Sequence, residues 1–424
     1  MSQFSEHFRN KNFLRLWLAQ VISQFGDRIN QMALIGLIAG RTPGSAIELA
    51  KLLSFTIIPV FIVGPIAGVY VDRWDRRRTL FICDFLRGLL VLTIPLVLIA
   101  RGSMVPIYIV VFLAFCLSRF YVPAKMSIIP DLVEGKDLLM ANSLVTTTGM
   151  IAFTLGCALG GFIVERFGAK GGFICDAITF FISGILVFSI TKTLKFNIPA
   201  SKWLDISKEV IGVIKKSIFS EIKEGILYLS RHKEIRFIIN MLFILFSAAG
   251  AIYVVIIVFV QEVFKSVTRD LGLLAVFLGV GLFVGSLSYG RLGEKISRFK
   301  TIFLCLILGG LMLILFSATL QRLPNLWMGA ILAFILGLIV GPIMIAANTV
   351  VHQVSDDKMR GKVFSALEVV MHFAFLMAML TSSFLAEYIA RFWILIGVGV
   401  IFSAVGIIGL LKYHQVDNIV AGES

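Results

Sequence analysis

The stretch GPIAGVYVDRWDRRR, residues 64–78, separates two apolar segments and shows the pattern that the rest of the chain repeats. Residues 49–71 before the charged part and residues 79–100 after it are almost wholly apolar. A helix that crosses the hydrocarbon core of a bilayer needs about 20 mostly apolar residues. Two such segments joined by a short basic loop therefore predict two membrane helices that are connected on the cytoplasmic side.

The composition of the whole chain agrees with a membrane protein and excludes a water-soluble fold. Hydrophobic residues make up 58% of the 424 residues and charged residues only 15%, whereas soluble domains average roughly 45–50% and about 25%. Including the two segments above, we predict twelve spans, an all-α integral membrane fold. The spans lie near 13–39, 49–71, 79–100, 104–122, 139–165, 171–191, 237–262, 270–290, 300–319, 324–351, 363–386 and 392–412.

The basic residues predict the orientation of the bundle. With a cytoplasmic N-terminus, 27 of the 39 Lys and Arg residues fall on the cytoplasmic side, 9 on the outer side and 3 inside spans. This asymmetry is the positive-inside bias of membrane proteins. We therefore expect a multi-pass protein of the plasma (inner) membrane with both termini in the cytoplasm. The net charge of +14 follows from this topology, so we predict the lipid bilayer and not a nucleic acid as the partner of the basic residues.

The chain divides into two similar halves around a polar centre. We predict a six-helix bundle over 1–191, a linker with cytoplasmic surface helices over 192–236, and a second six-helix bundle over 237–424. The linker could equally be a solvated connection with no further role. Gly64-x-x-x-Gly68 before one basic loop recurs as Gly281-x-x-x-Gly285 before another. Two six-helix pseudo-repeats with a central substrate site are typical of secondary transporters.

Residues 68–78 resemble the loop G-x-x-x-D-R-x-G-x-R-R between the second and third helices of the major facilitator superfamily. The match departs at Asp75, where the pattern has glycine. The resemblance implies a major facilitator fold and a cytoplasmic gate. In that gate Asp72 would cap a neighbouring helix or pair with an arginine, favouring the outward-open state. The alternative is a basic cluster that only sets topology. The loop residues of the predicted gate are Gly68, Asp72, Arg73, Arg77 and Arg78.

Further segments resemble one branch of the superfamily, the drug:proton antiporters that include macrolide and enterobactin exporters. They are SQFGDR (23–28), PAK (123–125), PDL (130–132), Ala141-Asn142, Glu224-Gly225 and RGKV (360–363). The resemblance implies a monomeric, proton-coupled exporter of small amphiphilic compounds, with protons and substrate as partners. Gly156, Gly160 and Gly161 resemble the antiporter motif G-P-x-x-G-G, with Cys157 in place of proline.

Charged residues inside apolar spans are costly and call for a partner or a function. Asp27 and Arg28 lie midway along the first span. We interpret Asp27 as facing the central cavity and as the first candidate for proton coupling. The alternative is a structural ion pair of Asp27 with Arg28 or with Arg119 of the fourth span.

A second charged pair lies on the third span. Asp84 and Arg87 are three residues apart and so share one helix face. Because they lie near the predicted cytoplasmic end, we interpret them as a structural or gating salt bridge and not as a substrate contact. With Arg119 they are assigned to the predicted cytoplasmic gate. Asp176 opens the sixth span near the outer interface, where it could simply reach water.

Glu368 and His372 form the second candidate for proton coupling. Their spacing places both side chains on one face of the eleventh span, and a carboxyl group in apolar surroundings holds a proton more readily than in water. The alternative is a hydrogen-bonded pair that holds this span to its neighbour.

Further polar residues in the spans could line the substrate cavity. We predict this role for Gln24, Arg28, Gln31, Asn142, Asn240 and Asn348. We predict no metal site and no cofactor, since the methionines and histidines are scattered and phosphate-binding and hydrolase motifs are absent. The sequence thus favours alternating-access, proton-coupled export over catalysis. The alternatives are a lipid, siderophore or metal-ion exporter of the same fold, a nutrient importer, or a membrane enzyme or receptor.

Overall fold

A computed structural model describes residues 10–71, 74–99, 103–133, 137–191, 233–292, 297–354 and 360–411. Every regular element in these ranges longer than one turn is an α-helix. The first of them, α1 (Lys11–Arg41), begins at Asn10, whose side-chain oxygen accepts hydrogen bonds from the backbone N–H groups of Asn12 and Phe13, both at 3.2 Å. This is the side-chain capping that satisfies the free amides at a helix start.

The next segment of the chain is one membrane pass built from two short helices. α2 (Ala46–Ile62) and α3 (Gly64–Val71) meet at Val63. Pro65 follows the junction and has no N–H to donate, so the helical hydrogen-bond ladder is interrupted there. Together the two helices span the predicted segment 49–71.

The first half of the chain is completed by three longer helices. They are α4 (Arg76–Ile99), α5 (Val105–Leu132) and α6 (Leu138–Phe188). α6 bends at Gly168, whose φ of 70° and ψ of 175° are not helical. Its 51 residues would measure about 76 Å as a straight helix, more than twice the thickness of the hydrocarbon core. α6 therefore supplies two passes, one on each side of Gly168.

The second half of the chain consists of six helices, each corresponding to one predicted span. They are α7 (Lys233–Phe264), α8 (Arg269–Leu292), α9 (Arg298–Arg322), α10 (Leu326–Val354), α11 (Arg360–Leu385) and α12 (Arg391–Leu411). Nine helices of the described residues are long and apolar enough to cross a membrane. With α1, with α2 and α3 as one pass, and with α6 as two, the predicted fold of about twelve membrane helices is confirmed.

Large apolar side chains cover much of the outer surface of these helices. Leu96, Phe162, Trp327 and Leu411 are each more than 59% exposed. A soluble monomer rarely exposes extended apolar patches, whereas lipid is the matching solvent for them. Most of the linker predicted over 192–236 lies outside the described residues, so its surface helices stay a prediction.

The chain forms two compact units. One comprises Met1–Leu37 and Leu52–Ser220, and the other comprises Ile38–Lys51 and Glu221–Ser424. The core of the first unit includes Phe13, Leu80, Ile128 and Val187, and that of the second includes Leu242, Ile302, Phe303 and Ile343. The segment Ile38–Lys51, at the junction of α1 and α2, belongs to the second unit although the helices on either side of it continue in the first.

Candidate functional site

A cluster of charged side chains lies inside the first unit, where α1, α4 and the second half of α6 meet. Asp27 of α1 forms an ion pair with Arg87 of α4. The Arg87 side chain is 7% exposed and that of Asp27 is 37% exposed. The partner of Asp27 is thus neither Arg28 nor Arg119, the two arginines considered from the sequence. Asp27 is the accessible member of an otherwise buried cluster.

Arg87 is the central cation of this cluster. Its Nη1 atom lies 3.8 Å from Oδ1 of Asp84, on the same face of α4. Its guanidinium group stacks over the ring of Phe180 at 4.0 Å from the centroid, and Tyr121 of α5 lies 5.8 Å away. Desolvated cation–π contacts of this kind contribute about 2 kcal/mol. The ion pairs and the aromatic face together hold a full charge among apolar helices.

Asp84 connects α4 to α6. Its side chain is completely buried, and its Oδ2 atom accepts a hydrogen bond from the Ser183 hydroxyl at 2.6 Å. Its Oδ1 atom has no hydrogen-bond partner in the structure. The structure places Asp84 and Arg87, predicted as a structural or gating salt bridge, together with Asp27 in the charged cluster. Their gate function stays a prediction.

Asp176 of α6 is a member of the cluster that the sequence did not predict. It was expected to reach water, yet it is 0% exposed. Gly26 explains how it can pack so closely on α1, since a Cβ at Gly26 would lie 2.6 Å from Oδ1 of Asp176 and 1.9 Å from the Thr179 hydroxyl. The Asn30 side chain hydrogen-bonds Asp176. Oδ2 of Asp176 and Oδ1 of Asn30 nevertheless have no hydrogen-bond partner.

The glycines that resemble the antiporter motif support this cluster from the other side of α1. A Cβ at Gly160 would lie 2.9 Å from the Cα of Ile29, and a Cβ at Gly156 would lie 2.9 Å from the Cβ of Arg28. Gly161, the third residue of the motif, is buried. The first half of α6 therefore approaches α1 at backbone distance, next to Asp27, as small residues allow in membrane helices.

Arg28 points away from the charged cluster. Its guanidinium group lies 4.8 Å from the centroid of the Phe153 ring and donates a hydrogen bond to Oε1 of Gln31 at 3.0 Å. Gln24, one turn earlier on α1, has its Oε1 atom 3.2 Å from where a Cβ of Gly149 would be. Arg28, Gln24 and Gln31 thus line the α1–α6 contact, and each is partly exposed.

The other predicted cavity residues are scattered over the helices. Asn142 lies in α6, and its carbonyl oxygen accepts a hydrogen bond from the Thr146 hydroxyl at 2.9 Å. Asn240 of α7 is exposed. Asn348 lies in α10, but its side chain is outside the described part of the structure.

The basic loop after α3 is held by acidic residues other than the predicted one. Asp72 and Arg73 lie outside the described residues, and Gly68 is described only as part of α3. Asp75, the departure from the family pattern, caps α4 by accepting the backbone N–H of Arg78 at 2.9 Å. Arg76 pairs with Asp131 at the end of α5.

The two remaining arginines of the loop differ in exposure. Arg77 donates to the carbonyl oxygen of Phe188 and lies over its ring, while the Arg78 side chain is 84% exposed. Arg119, the last predicted gate residue, is partly buried in α5. The gate function of all these residues stays a prediction.

Glu368 and His372 do not form the predicted side-chain pair. Nδ1 of His372 lies 2.8 Å from the backbone carbonyl oxygen of Glu368, not from its carboxylate. Glu368 is also exposed in the second unit. Because an i, i+4 spacing places the ring beside the preceding turn, the backbone carbonyl is the nearest acceptor. The two side chains are therefore not paired with each other, and a coupling role for Glu368 stays a prediction.

The cluster contains an excess of carboxyl groups over buried cations. It combines three carboxyl groups, one buried guanidinium group and, near Asp27, the amine of Lys125 on α5. Charges inside a membrane protein mark ion and proton pathways. A change in the protonation of Asp27 would alter the balance that holds α1, α4 and α6 together.

Twelve membrane passes in two halves, with charged residues buried inside the first half, are typical of secondary transporters. A sequence profile described as "Transmembrane secretion effector" matches residues 2–419, so the chain belongs to this family of the major facilitator superfamily. The chain is 27% identical over 374 residues to the uncharacterized MFS-type transporter YkuC of Bacillus subtilis, covering 87% of this chain and 84% of YkuC. It is 26% identical over 331 residues to the multidrug resistance protein MdtG of Salmonella schwarzengrund, covering 77% and 76%.

Solved structures show the same fold at low sequence identity. A bacterial homologue of the iron transporter ferroportin in an inward-facing state matches with a TM-score of 0.69 and 13% identity, covering 94% of this chain and 98% of the homologue. A peptide transporter of the POT family in complex with sulfate matches with a TM-score of 0.70 and 13% identity, covering 96% and 95%. The chain is therefore a multi-pass membrane transporter of the major facilitator superfamily, as the loop at 68–78 predicted.

Proposed function

We propose that this transporter exports small amphiphilic compounds in exchange for protons, by alternating access in the inner membrane. The observation that carries the proposal is the ion pair between Asp27 and Arg87 inside the first unit. An intramembrane carboxylate that is partly accessible and paired with a buried arginine is suited to exchange protons with water. Neutralisation of Asp27 would break its ion pair with Arg87, which joins α1 to α4, and so favour a different arrangement of these two helices.

Two further observations support export over import. The family is described as one of transmembrane secretion effectors, and MdtG, one of the relatives, is described as a multidrug resistance protein.

Exporters of amphiphilic compounds need a cavity with apolar walls and few polar groups. Arg28 stacked on Phe153 beside Gln31 offers such a surface for an aromatic or amphiphilic molecule.

A liposome assay tests the coupling. Purified protein is reconstituted with a pH-sensitive dye inside the vesicles, and a panel of amphiphilic drugs is added under an imposed pH gradient. We expect drug-dependent proton movement in the wild-type protein and its loss in Asp27→Asn, which keeps the size of the side chain but not its charge. Asp270→Asn is the matched control. Asp270 is a buried aspartate of the second unit paired with Arg269, and this variant should retain proton movement.

The possible outcomes separate the parts of the proposal. Drug movement without proton flux in the wild-type protein would exclude proton coupling, and the charged cluster would then have a structural function. Full gradient-driven transport by Asp27→Asn would exclude Asp27 as the coupling residue. If the wild-type protein transports none of the amphiphilic drugs, the proposed substrate class is wrong.

A further inference from the structure

The charges of the cluster do not balance if every group is ionised. Its cations are Arg87 and, near Asp27, Lys125. Its carboxyl groups are those of Asp27, Asp84 and Asp176. Three negative charges face two positive charges, and an uncompensated charge is strongly unfavourable where the groups are buried. A single bound proton makes the cluster neutral.

The structure indicates which carboxyl group holds this proton. Asp27 is paired with Arg87, and Asp84 has both Arg87 at 3.8 Å and the Ser183 hydroxyl at 2.6 Å. None of the ion pairs among the described residues includes Asp176. This side chain is completely buried, and one of its oxygens lacks any hydrogen-bond partner.

Asn30, the neighbour of Asp176, also has an oxygen atom without a hydrogen-bond donor. Asn30 is 7% exposed and hydrogen-bonds Asp176, yet its Oδ1 atom is also without a partner. Two unpaired acceptor oxygens on two contacting side chains are unfavourable, because each loses its hydrogen bonds to water without replacement. A proton on Asp176 turns one of these acceptors into a donor, so that a single O–H group can satisfy both oxygens.

We propose that the cluster carries one proton that is held on Asp176 while Asp27 is ionised, and on Asp27 while Asp176 is ionised. In the transfer, the O–H bond at Asp176 breaks and an O–H bond at Asp27 forms. Arg87, whose charge acts on both carboxyl groups, compensates whichever one is ionised. The total charge of the cluster stays constant. The use of this transfer in transport rests on the function proposed above, whereas the presence of the proton does not.

This arrangement would give the proposed antiporter an internal position for its proton. Asp27 is 37% exposed at its side chain and can exchange with water, while Asp176 is closed to it. A proton on Asp176 leaves Asp27 ionised and paired with Arg87. A proton on Asp27 removes the charge that pairs Asp27 with Arg87, leaves Arg87 to compensate Asp84 and Asp176, and requires Asn30 and Asp176 to change partners. The proton position is thereby linked to the contact between α1 and α6.

Infrared spectroscopy of the purified full-length protein tests the inference without any transport assay. A protonated carboxyl group has a carbonyl stretching band that an ionised carboxylate lacks. We expect this band in the wild-type protein at neutral pH and its loss in Asp176→Asn. We also expect its loss in Asp27→Asn, because without the Asp27 charge two cations balance Asp84 and Asp176 and no proton is needed. The matched control Asp270→Asn should keep the band.

Two further variants identify the proton carrier and the charge balance. Asn30→Ala should move the band to higher frequency, because the acceptor for the Asp176 O–H group is removed. Lys125→Met should add a second protonated carboxyl group and about double the band area. Both measurements remain available if Asp176→Asn does not fold.

The inference is overturned if the wild-type spectrum has no such band, or if the band persists in Asp27→Asn. If the wild-type spectrum lacks the band but changes on addition of sodium chloride, the unpaired oxygens bind a sodium ion and not a proton. If the band follows the expected pattern while the liposome assay shows no proton flux, the proton is confirmed and the proposed coupling is wrong.

Discussion

The two units of the molecule hold their central helices together by different means. In the first unit, α1, α4 and α6 meet around Asp84, Arg87 and Asp176, all of them buried. In the second unit, Asp270 is the one charged residue among the described positions that is buried, and it lies at the start of α8. The interior of the second unit is therefore held almost wholly by apolar and backbone contacts.

The contact between α8 and α10 shows how the second unit does without charges. A Cβ at Gly281 would lie 2.1 Å from the carbonyl oxygen of Phe334, and one at Gly337 would lie 2.2 Å from that of Leu278. The two helices thus touch backbone to backbone, with glycine on both sides. The Ser286 hydroxyl adds a hydrogen bond to the carbonyl oxygen of Gly341 at 3.1 Å. Such contacts depend on shape and not on pH.

Because of this difference, the two units should respond differently to a change in pH. Ion pairs and buried carboxyl groups respond to proton binding, because each change of charge alters the stability of the cluster. Close glycine contacts have no titratable group and keep the same energy at every pH. We therefore expect the first unit to sense protons and the second to act as a rigid counterpart.

Removal of the central cation should have the largest effect. Arg87→Met leaves Asp84 buried without a cation and Asp27 without its partner, and breaking a buried pair in this way typically costs about 3–5 kcal/mol. We expect a loss of this size in the free energy of unfolding, measured by titration with sodium dodecyl sulfate in mixed micelles. Transport should be lost as well.

A charge-neutral background shows whether the loss is electrostatic. The triple variant Asp27→Asn, Asp84→Asn, Arg87→Met removes the arginine together with the two acids that form ion pairs with it, and it should recover most of the stability lost in Arg87→Met. If the single and triple variants are equally unstable, Arg87 contributes by packing, and the contrast between the units would not hold.

Substitution in the glycine contact should have the next largest effect. Gly281→Ala places a methyl group where the backbone of Phe334 lies, so α8 and α10 must separate. Overpacking of this kind costs roughly 1–3 kcal/mol, and we expect the same loss at acidic and neutral pH in the micelle titration.

Gly290 on the same helix is the matched control. A Cβ at Gly290 would have nothing within 4 Å. Gly290→Ala should therefore stabilise the protein slightly, by up to about 1 kcal/mol, since alanine loses less entropy than glycine in a helix. Equal effects at both positions would show that the α8–α10 contact is not as tight as described.

The sequence predicted the fold well because hydropathy is a local property. Each of the twelve apolar segments became a membrane pass, and the loop at 68–78 indicated the superfamily. Asp27 was recognisable as a functional candidate, since a carboxylate midway along an apolar span has few explanations.

The members of the charged cluster could not be predicted in the same way, because the contacts join distant parts of the chain. Asp27 and Arg87 are 60 residues apart. Asp176 lies five residues after the predicted start of its span, so it was expected at the interface. In the structure α6 continues through the bend at Gly168, and Asp176 lies about 12 Å beyond that bend along the helix. The spacing Gly337-x-x-x-Gly341 was visible, but spacing alone does not name the partner helix.

The aromatic face over Arg87 should contribute less than the ion pairs. Phe180→Leu keeps an apolar side chain of similar size but removes the ring 4.0 Å from the guanidinium carbon. We expect a loss of about 1–2 kcal/mol in the free energy of unfolding, part of it from the cation–π contact. Phe173→Leu, at an equally buried position of α6 that has no cation over its ring among the described contacts, should lose only the packing part. Equal losses in both variants would show that the cation–π contact does not contribute to the free energy of unfolding.

The smallest effect is expected for a charged contact at the surface of the second unit. Oε1 of Glu387 accepts hydrogen bonds from the Ser45 hydroxyl at 3.1 Å and from the N–H of Ile47 at 3.3 Å, where α2 begins. Glu387→Gln keeps an acceptor but loses the negative charge that favours a helix N-terminus. Backbone amides 46–50 should exchange with deuterium a few times faster. Lys51→Met on the same helix removes only an exposed side-chain pair with Glu48 and should change them much less. Arg391, which donates to the Gly44 carbonyl oxygen at 2.6 Å, continues to hold the segment, so global stability should change little. A loss as large as that of Arg87→Met would mean that charge, and not shape, also holds the second unit together.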